Sequence, residues 1–162
     1  MTGKKQTTTI EYIGHVRSPR TEMTDDHWGS VISEIVVDEK IPLSALKGLD
    51  SFSHLEIVFH MDQVDQNKIV YQDRHPRNNT DWPSVGIFAQ RAKGRPNAIG
   101  VSRCALLEMN GNKLTVKALD AIDGTPVIDI KPYVNEFGPI GEVRQPGWIT
   151  ELMKNYYKDG SS

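Results

Sequence analysis

Two β-type runs, Ile99 to Met109 and Lys113 to Leu119, are separated by Asn110-Gly111-Asn112. Asn and Gly tolerate the positive φ of tight turns, so this triplet predicts an antiparallel hairpin. The rest of the chain is punctuated in the same way. Thr8 to Arg17 holds Ile10, Tyr12, Ile13 and Val16 and stops at Ser18-Pro19, where a strand should end. Val31 to Val37, His54 to Met61, Val85 to Gln90 and Val127 to Ile130 are further runs of strand length between turn residues. Six or seven strands with no βα alternation predict a mainly-β fold, a small barrel or closed sheet. Helix is expected in two places only. Pro42 to Leu49 carries Pro at a first turn and Gly48 near its end, and Gln145 to Lys158 places Trp148, Leu152 and Tyr156 on one face.

At 162 residues the chain reads as one domain: a flexible stretch over 1–8, the barrel over 9–144, and the helix of 145–158 packed on the same domain. No apolar run approaches the roughly 20 residues of a membrane span, and the basic N-terminus lacks the apolar stretch of a secretory signal. The single cysteine, Cys104, lies among Ala105, Leu106 and Leu107. A buried, inert thiol in a reducing cytoplasm is expected. The histidines at 15, 27, 54, 60 and 75 show no zinc-ligand spacing and have no cysteine partners, so no metal is expected.

Net charge is −2, which argues against nucleic-acid binding by the whole surface but not by a local patch. Arg74, Arg77, Arg91, Lys93, Arg95 and Arg103 fall close together, while Glu22, Asp25, Asp26, Asp62 and Asp65 are acidic. The segment from Val64 to Ser84 is long for a loop, and loops of that length are functional, mobile or simply solvated. It is followed by Gly86-Ile87-Phe88-Ala89-Gln90-Arg91-Ala92-Lys93-Gly94-Arg95-Pro96-Asn97-Ala98-Ile99-Gly100-Val101. Three cations on one loop suit a carboxylate or phosphate, with Gly100 letting the backbone approach a ligand. A solvated basic turn explains the spacing equally well. Downstream, Asp120-Ala121-Ile122-Asp123-Gly124-Thr125-Pro126 has the composition of a tight turn. Its carboxylates, with Asp129, can accept bonds from amines, ribose hydroxyls or an ammonium, or can serve the turn alone.

These stretches resemble the TrmO/YaeB (TsaA-like) family of β-barrel methyltransferases, which pair an Arg-x-x-x-Arg-Pro-Asn-x-x-Gly loop with Asp-Gly-Thr-Pro-Val-x-Asp-Ile-Lys-Pro-Tyr. Ile13-Gly14-His15-Val16-Arg17-Ser18-Pro19 and Leu49-Asp50-Ser51-Phe52-Ser53-His54-Leu55 resemble it too, in the same order. The family loop commonly has Ser-Pro and Pro where this chain has Ala92-Lys93 and Ala98. The resemblance implies S-adenosylmethionine bound at the barrel, often near a homodimer interface, and methylation of the exocyclic amine nitrogen of threonylcarbamoyl-adenosine beside the tRNA anticodon. Carried over, it implies that Asp62, Gln63, Arg91, Ile99, Val101, Asp120, Asp123, Gly124, Thr125 and Pro126 contact the cofactor. Asp62 and Asp123 are alternative proton acceptors. Arg74, Arg77, Lys93, Arg95 and Asn97 are expected to serve the tRNA, and Trp82 or Tyr71 can stack on a base or pack in the core. A non-catalytic cofactor- or RNA-binding module and a small-molecule methyltransferase are the competing readings.

Overall fold

The computed structural model describes residues 3–160. Six strands close into an antiparallel barrel: β1 (Gly14–Arg17), β2 (Ile32–Val37), β3 (His54–His60), β6 (Ile99–Asn110), β7 (Lys113–Lys117) and β8 (Pro126–Pro132), in the order β1-β2-β7-β6-β3-β8. Alternation builds the core. Val16, Ile35, Val37, Leu55, Ile57, Phe59, Cys104, Leu114, Val116 and Val127 point inward and are buried, because successive strand residues face opposite sides. Asn110-Gly111-Asn112 makes the β6–β7 hairpin, with Gly111 at φ 58°. Cys104 is buried, and loss of solvation pushes its thiol up to about 12.

Some expected elements differ. β1 begins at Gly14 rather than Thr8, since β2 ends opposite it at Val37; Ile13 still bonds to Val127 and Asp38, and residues 3–12 make no further backbone bonds among the described residues. Part of the expected flexible stretch, residues 1–2, lies outside the described residues; residues 3–13 carry no regular secondary structure. Val85 to Gln90 is a two-residue strand, β5 (Val85–Gly86), followed by a 3₁₀ turn over Ile87–Ala89. Its partner β4 (Asp73–Arg74) lies inside the long 64–84 segment, and buried Gln90 locks the pair by donating its side-chain amide to the Arg74 and Val85 carbonyls at 2.9 Å each. That segment is therefore a fastened ribbon.

The helical expectations contract. Pro42 to Leu49 gives 3₁₀ turns at Leu43–Leu46 and Leu49–Ser51. The C-terminal helix α1 covers only Gly147–Met153. Beyond it the backbone is drawn to the loop after β1, where the His27 and Trp28 N–H groups donate to the Asn155 and Tyr156 carbonyls at 3.1 and 2.8 Å. A Cβ on Gly29 would stand 1.8 Å from the Tyr157 carbonyl oxygen, so a side chain there would block this approach. No helix among the described residues is long and apolar enough to cross a membrane.

Candidate functional site

Antiparallel topology places three connections at one barrel end. The β1–β2 loop (18–31), the excursion between β3 and β6 (61–98) and the β7–β8 turn (118–125) all leave strands at the end marked by the pairs Ile32–Lys117, His60–Ile99 and His15–Pro126. The basic loop and the acidic turn thus come together although their sequence positions are distant.

Asp123 fastens two of these connections. Its Oδ1 accepts the Ser18 N–H at 3.0 Å, and its own N–H donates to the Arg20 carbonyl at 2.7 Å. Arg20 organises the rest of the first loop, stacking 4.1 Å over the centroid of buried Trp28 and donating to the Asp26 carbonyl at 2.8 Å. Gly124 takes φ 82°, and the Thr125 hydroxyl donates to the Ile122 carbonyl at 2.7 Å. Pro126 opens β8 opposite His15.

Asp120 is placed differently. Its Oδ2 accepts the Tyr156 hydroxyl, while its Oδ1 is buried and has no partner among the described residues. An unpaired buried carboxylate oxygen is costly, which marks a position awaiting a donor. Burial, and then the Asp120 charge, push the Tyr156 phenol far above its ordinary range, so it stays a neutral donor. Burial likewise raises Tyr157, and Arg91 acts on both tyrosines in the opposite direction. Arg91, on the basic loop, is exposed and donates through Nη2 to the Val101 carbonyl at 3.2 Å. Beside it Ile99 and Val101 turn outward, 38% and 46% exposed. Gly100, between them, faces inward instead. A Cβ there would meet the Phe59 ring at 2.4 Å, so the glycine serves packing inside the barrel rather than the approach of a ligand.

The other expected residues divide. Asp62 and Gln63 are exposed just past β3, with the Asp62 N–H bonded to the His60 carbonyl. Arg77 forks onto Asp26 at 2.9 and 3.3 Å and lies 3.7 Å from Asp25, which Lys93 also approaches at 3.7 Å. Arg95 donates to the Gln90 carbonyl at 2.6 Å. The Arg74 Nε is buried without a partner among the described residues, and Asn97 takes φ 66° in the turn before β6. Trp82 donates to Glu151 on α1 at 3.4 Å, whereas Tyr71 is 70% exposed.

One residue was weighed from the sequence only as a metal ligand. His60 closes the outward row of β3 opposite Ile99, and its Nδ1 is hydrogen-bonded to the Tyr12 hydroxyl at 2.6 Å, the rings stacked at 5.9 Å. The signal was its even spacing from His54, Glu56 and Val58, which puts it on the outer face. Its partner, 48 positions away, had none. Among the described residues no group of three or more His, Cys, Asp or Glu is placed to hold a metal ion. Open clefts of about 620 and 410 Å³ lie elsewhere, one bordered by Phe52, Arg103 and Tyr133, the other by Tyr12, His15 and Asn112. Arg91 and Asp120 line neither.

Comparison with known proteins identifies the family. An S-adenosyl-L-methionine-binding protein of Archaeoglobus fulgidus, described as probable, is 34% identical over 88% of the chain, which spans 38% of that relative. The tRNA (adenine(37)-N6)-methyltransferase of Homo sapiens is 35% identical over 72% of the chain and 26% of its own length. The crystal structure of TrmO from Pseudomonas aeruginosa superposes with a TM-score of 0.69 at 28% identity, covering 86% of this chain and 62% of that one. Residues 15–138 match the tRNA-methyltransferase O N-terminal domain, and the chain belongs to that family.

Proposed function

We propose that the chain is an S-adenosylmethionine-dependent methyltransferase acting on tRNA, at the exocyclic amine nitrogen of adenosine 37 in its threonylcarbamoyl form. One observation carries the reading: Asp120, with its orphaned Oδ1, and exposed Arg91 act on the same two tyrosines, and Arg91 is bonded at Val101 in the outward pair Ile99 and Val101. The donor set suits this cofactor. Arg91 fits its carboxylate, Asp120 an ammonium, amine or hydroxyl, and the two aliphatic side chains the flat face of adenine. Gln63 and the turn from Asp120 to Pro126 complete the proposed contacts, Asp123 through the loop it fastens. When bound, the cofactor supplies a methyl group on a positively charged sulfur that departs as a neutral thioether. The chain's own contribution is orientation and exclusion of water.

The acceptor nitrogen also loses a proton. Asp123 has Oδ1 committed to Ser18, whereas Asp62 is exposed at the end of β3 next to the Tyr12–His60 pair, so we assign the proton to the Asp62 carboxylate. Lys93, Arg95, Arg74, Arg77 and Asn97 frame the adjoining surface for the RNA backbone, with attraction that weakens as salt rises. A tRNA-modifying role supports the cytoplasm as the proposed location. A second copy is the proposed partner of Phe137, Ile140 and Val143, which are 81%, 100% and 65% exposed on the stretch before α1, since exposed apolar patches mark interaction sites.

Labelled S-adenosylmethionine incubated with the protein and total tRNA tests the reading. Label should enter tRNA and be lost with Arg91→Ala. Cofactor binding without transfer would instead identify a binding module, as the Archaeoglobus fulgidus relative is described.

A further inference from the structure

We infer that the cleft on the outer wall of β3, β6 and β8 receives an unstacked nucleobase of the RNA acceptor, an inference that rests on the tRNA-methyltransferase reading above. The cleft measures about 620 Å³, within the range of pockets that enclose small organic groups. Phe52, 38% exposed at the entry to β3, offers open aromatic surface. Tyr133, at the exit of β8, is half-buried, with the Arg103 guanidinium 5.1 Å from its ring centroid. Arg103 is already committed, since its Nε–H donates to Glu56 at 2.8 Å, and that bond holds its charge more firmly than usual. It therefore props the tyrosine ring in place while its charge is balanced.

The hydrogen-bonding groups favour a base edge over a phosphate. His54 Nδ1 is paired with the Ser53 hydroxyl at 2.7 Å, which leaves Nε2 for a ligand. Asn135 brings an amide that both donates and accepts, and exposed Glu136 brings a carboxylate. A carboxylate beside a neutralised arginine repels an anion but accepts an exocyclic amine. Aromatic surface together with mixed donors and acceptors is how proteins read bases splayed from single-stranded loops. The position also fits. Arg103 follows Val101 by two residues on the same outward face of β6, a step of about 6.6–6.8 Å. The base would thus lie one outward side chain along the strand from the Ile99–Val101 wall, and Arg103 and Arg91 both act electrostatically on Tyr157.

An anticodon stem-loop RNA with 2-aminopurine replacing each loop adenine in turn, titrated with the full chain, tests this. One loop position should change fluorescence on binding. Phe52→Ala should weaken stem-loop affinity about tenfold, the order expected when a stacked base loses its platform, Asn135→Ala should weaken it through a lost base-edge contact, and both should leave calorimetric affinity for S-adenosylhomocysteine unchanged. Arg91→Ala should do the reverse. Wild-type stem-loop affinity in both cleft variants, or no responsive loop position, overturns the inference. If those results accompany normal methyl transfer to tRNA, the function stands and the cleft assignment alone falls. If base and cleft behave as described but no methyl group reaches any tRNA, the assigned activity falls and the cleft stands.

Discussion

The stretch between β8 and α1 and the tail that follows α1 are similar in kind, short irregular segments with large apolar side chains, yet they behave oppositely. The tail is fastened. Two backbone bonds hold Asn155 and Tyr156 to His27 and Trp28, Gly29 lets the Tyr157 backbone approach closely, and the Tyr156 hydroxyl seats on Asp120. Residues 139–146 of the other segment are exposed throughout, and Ile140 is fully so. The tail reaches Asp120 from within the chain, and a second copy is only the proposed partner of the exposed arm.

The contrast can be broken most directly at Gly29. In Gly29→Ala the added methyl meets the Tyr157 backbone, so the tail must lift, at a cost of about 1–3 kcal/mol as for other overpacked sites. Thermal denaturation should show a Tm lower by several degrees, together with weaker binding of S-adenosylhomocysteine as Tyr156 leaves Asp120. An unchanged Tm would show that the tail is not seated as described. Ile140→Asp probes the arm. It should leave the Tm of the separated chain within about 0.5 kcal/mol equivalent, as for exposed positions generally, while light scattering reports a change from dimer to monomer. A wild-type protein that is already monomeric at working concentration removes the arm's proposed role.

The smallest expected effect concerns alkaline pH. The Cys104 thiol is raised from 9.0 to about 12 by burial, and Tyr156 is raised from 10.0 by burial and Asp120. Both hold their protons longer in the folded chain than in the unfolded one, so unfolding releases protons and stability is full below the ordinary values. It should fall as pH climbs from about 9. Urea denaturation over that window should show a shallower decline for Cys104→Ala, and a shallower one above 10 for Tyr156→Phe, whose hydroxyl belongs to the fastened tail. Identical slopes in wild type and both variants would rule out these two groups as the source.

The barrel was legible because its strands announce themselves locally. Residues such as Ile35, Val37, Ile57 and Phe59 alternate with outward neighbours, and Asn110-Gly111-Asn112 fixes a turn by backbone preference alone. The site was legible in part. The motif loops containing Arg91 and Asp120 stood out, but their chemistry did not divide correctly by composition. Gly100 read as a ligand contact, yet it makes room for Phe59. Arg77 and Lys93 were expected to serve the tRNA, and the structure adds that Asp25 and Asp26, some fifty or more residues earlier, meet them. His60 was weighed only as a metal ligand, because its partner Tyr12 lies 48 positions away.

By itself, then, the sequence determined the strand periodicity, the turns and the family motifs, since these depend on neighbours within a few residues. Tertiary structure alone decided which charges remain available, which oxygen of Asp120 lacks a donor, and where the helix stops. Each of those depends on what the chain brings alongside from far away, and a through-space contact leaves no mark in the local order of residues.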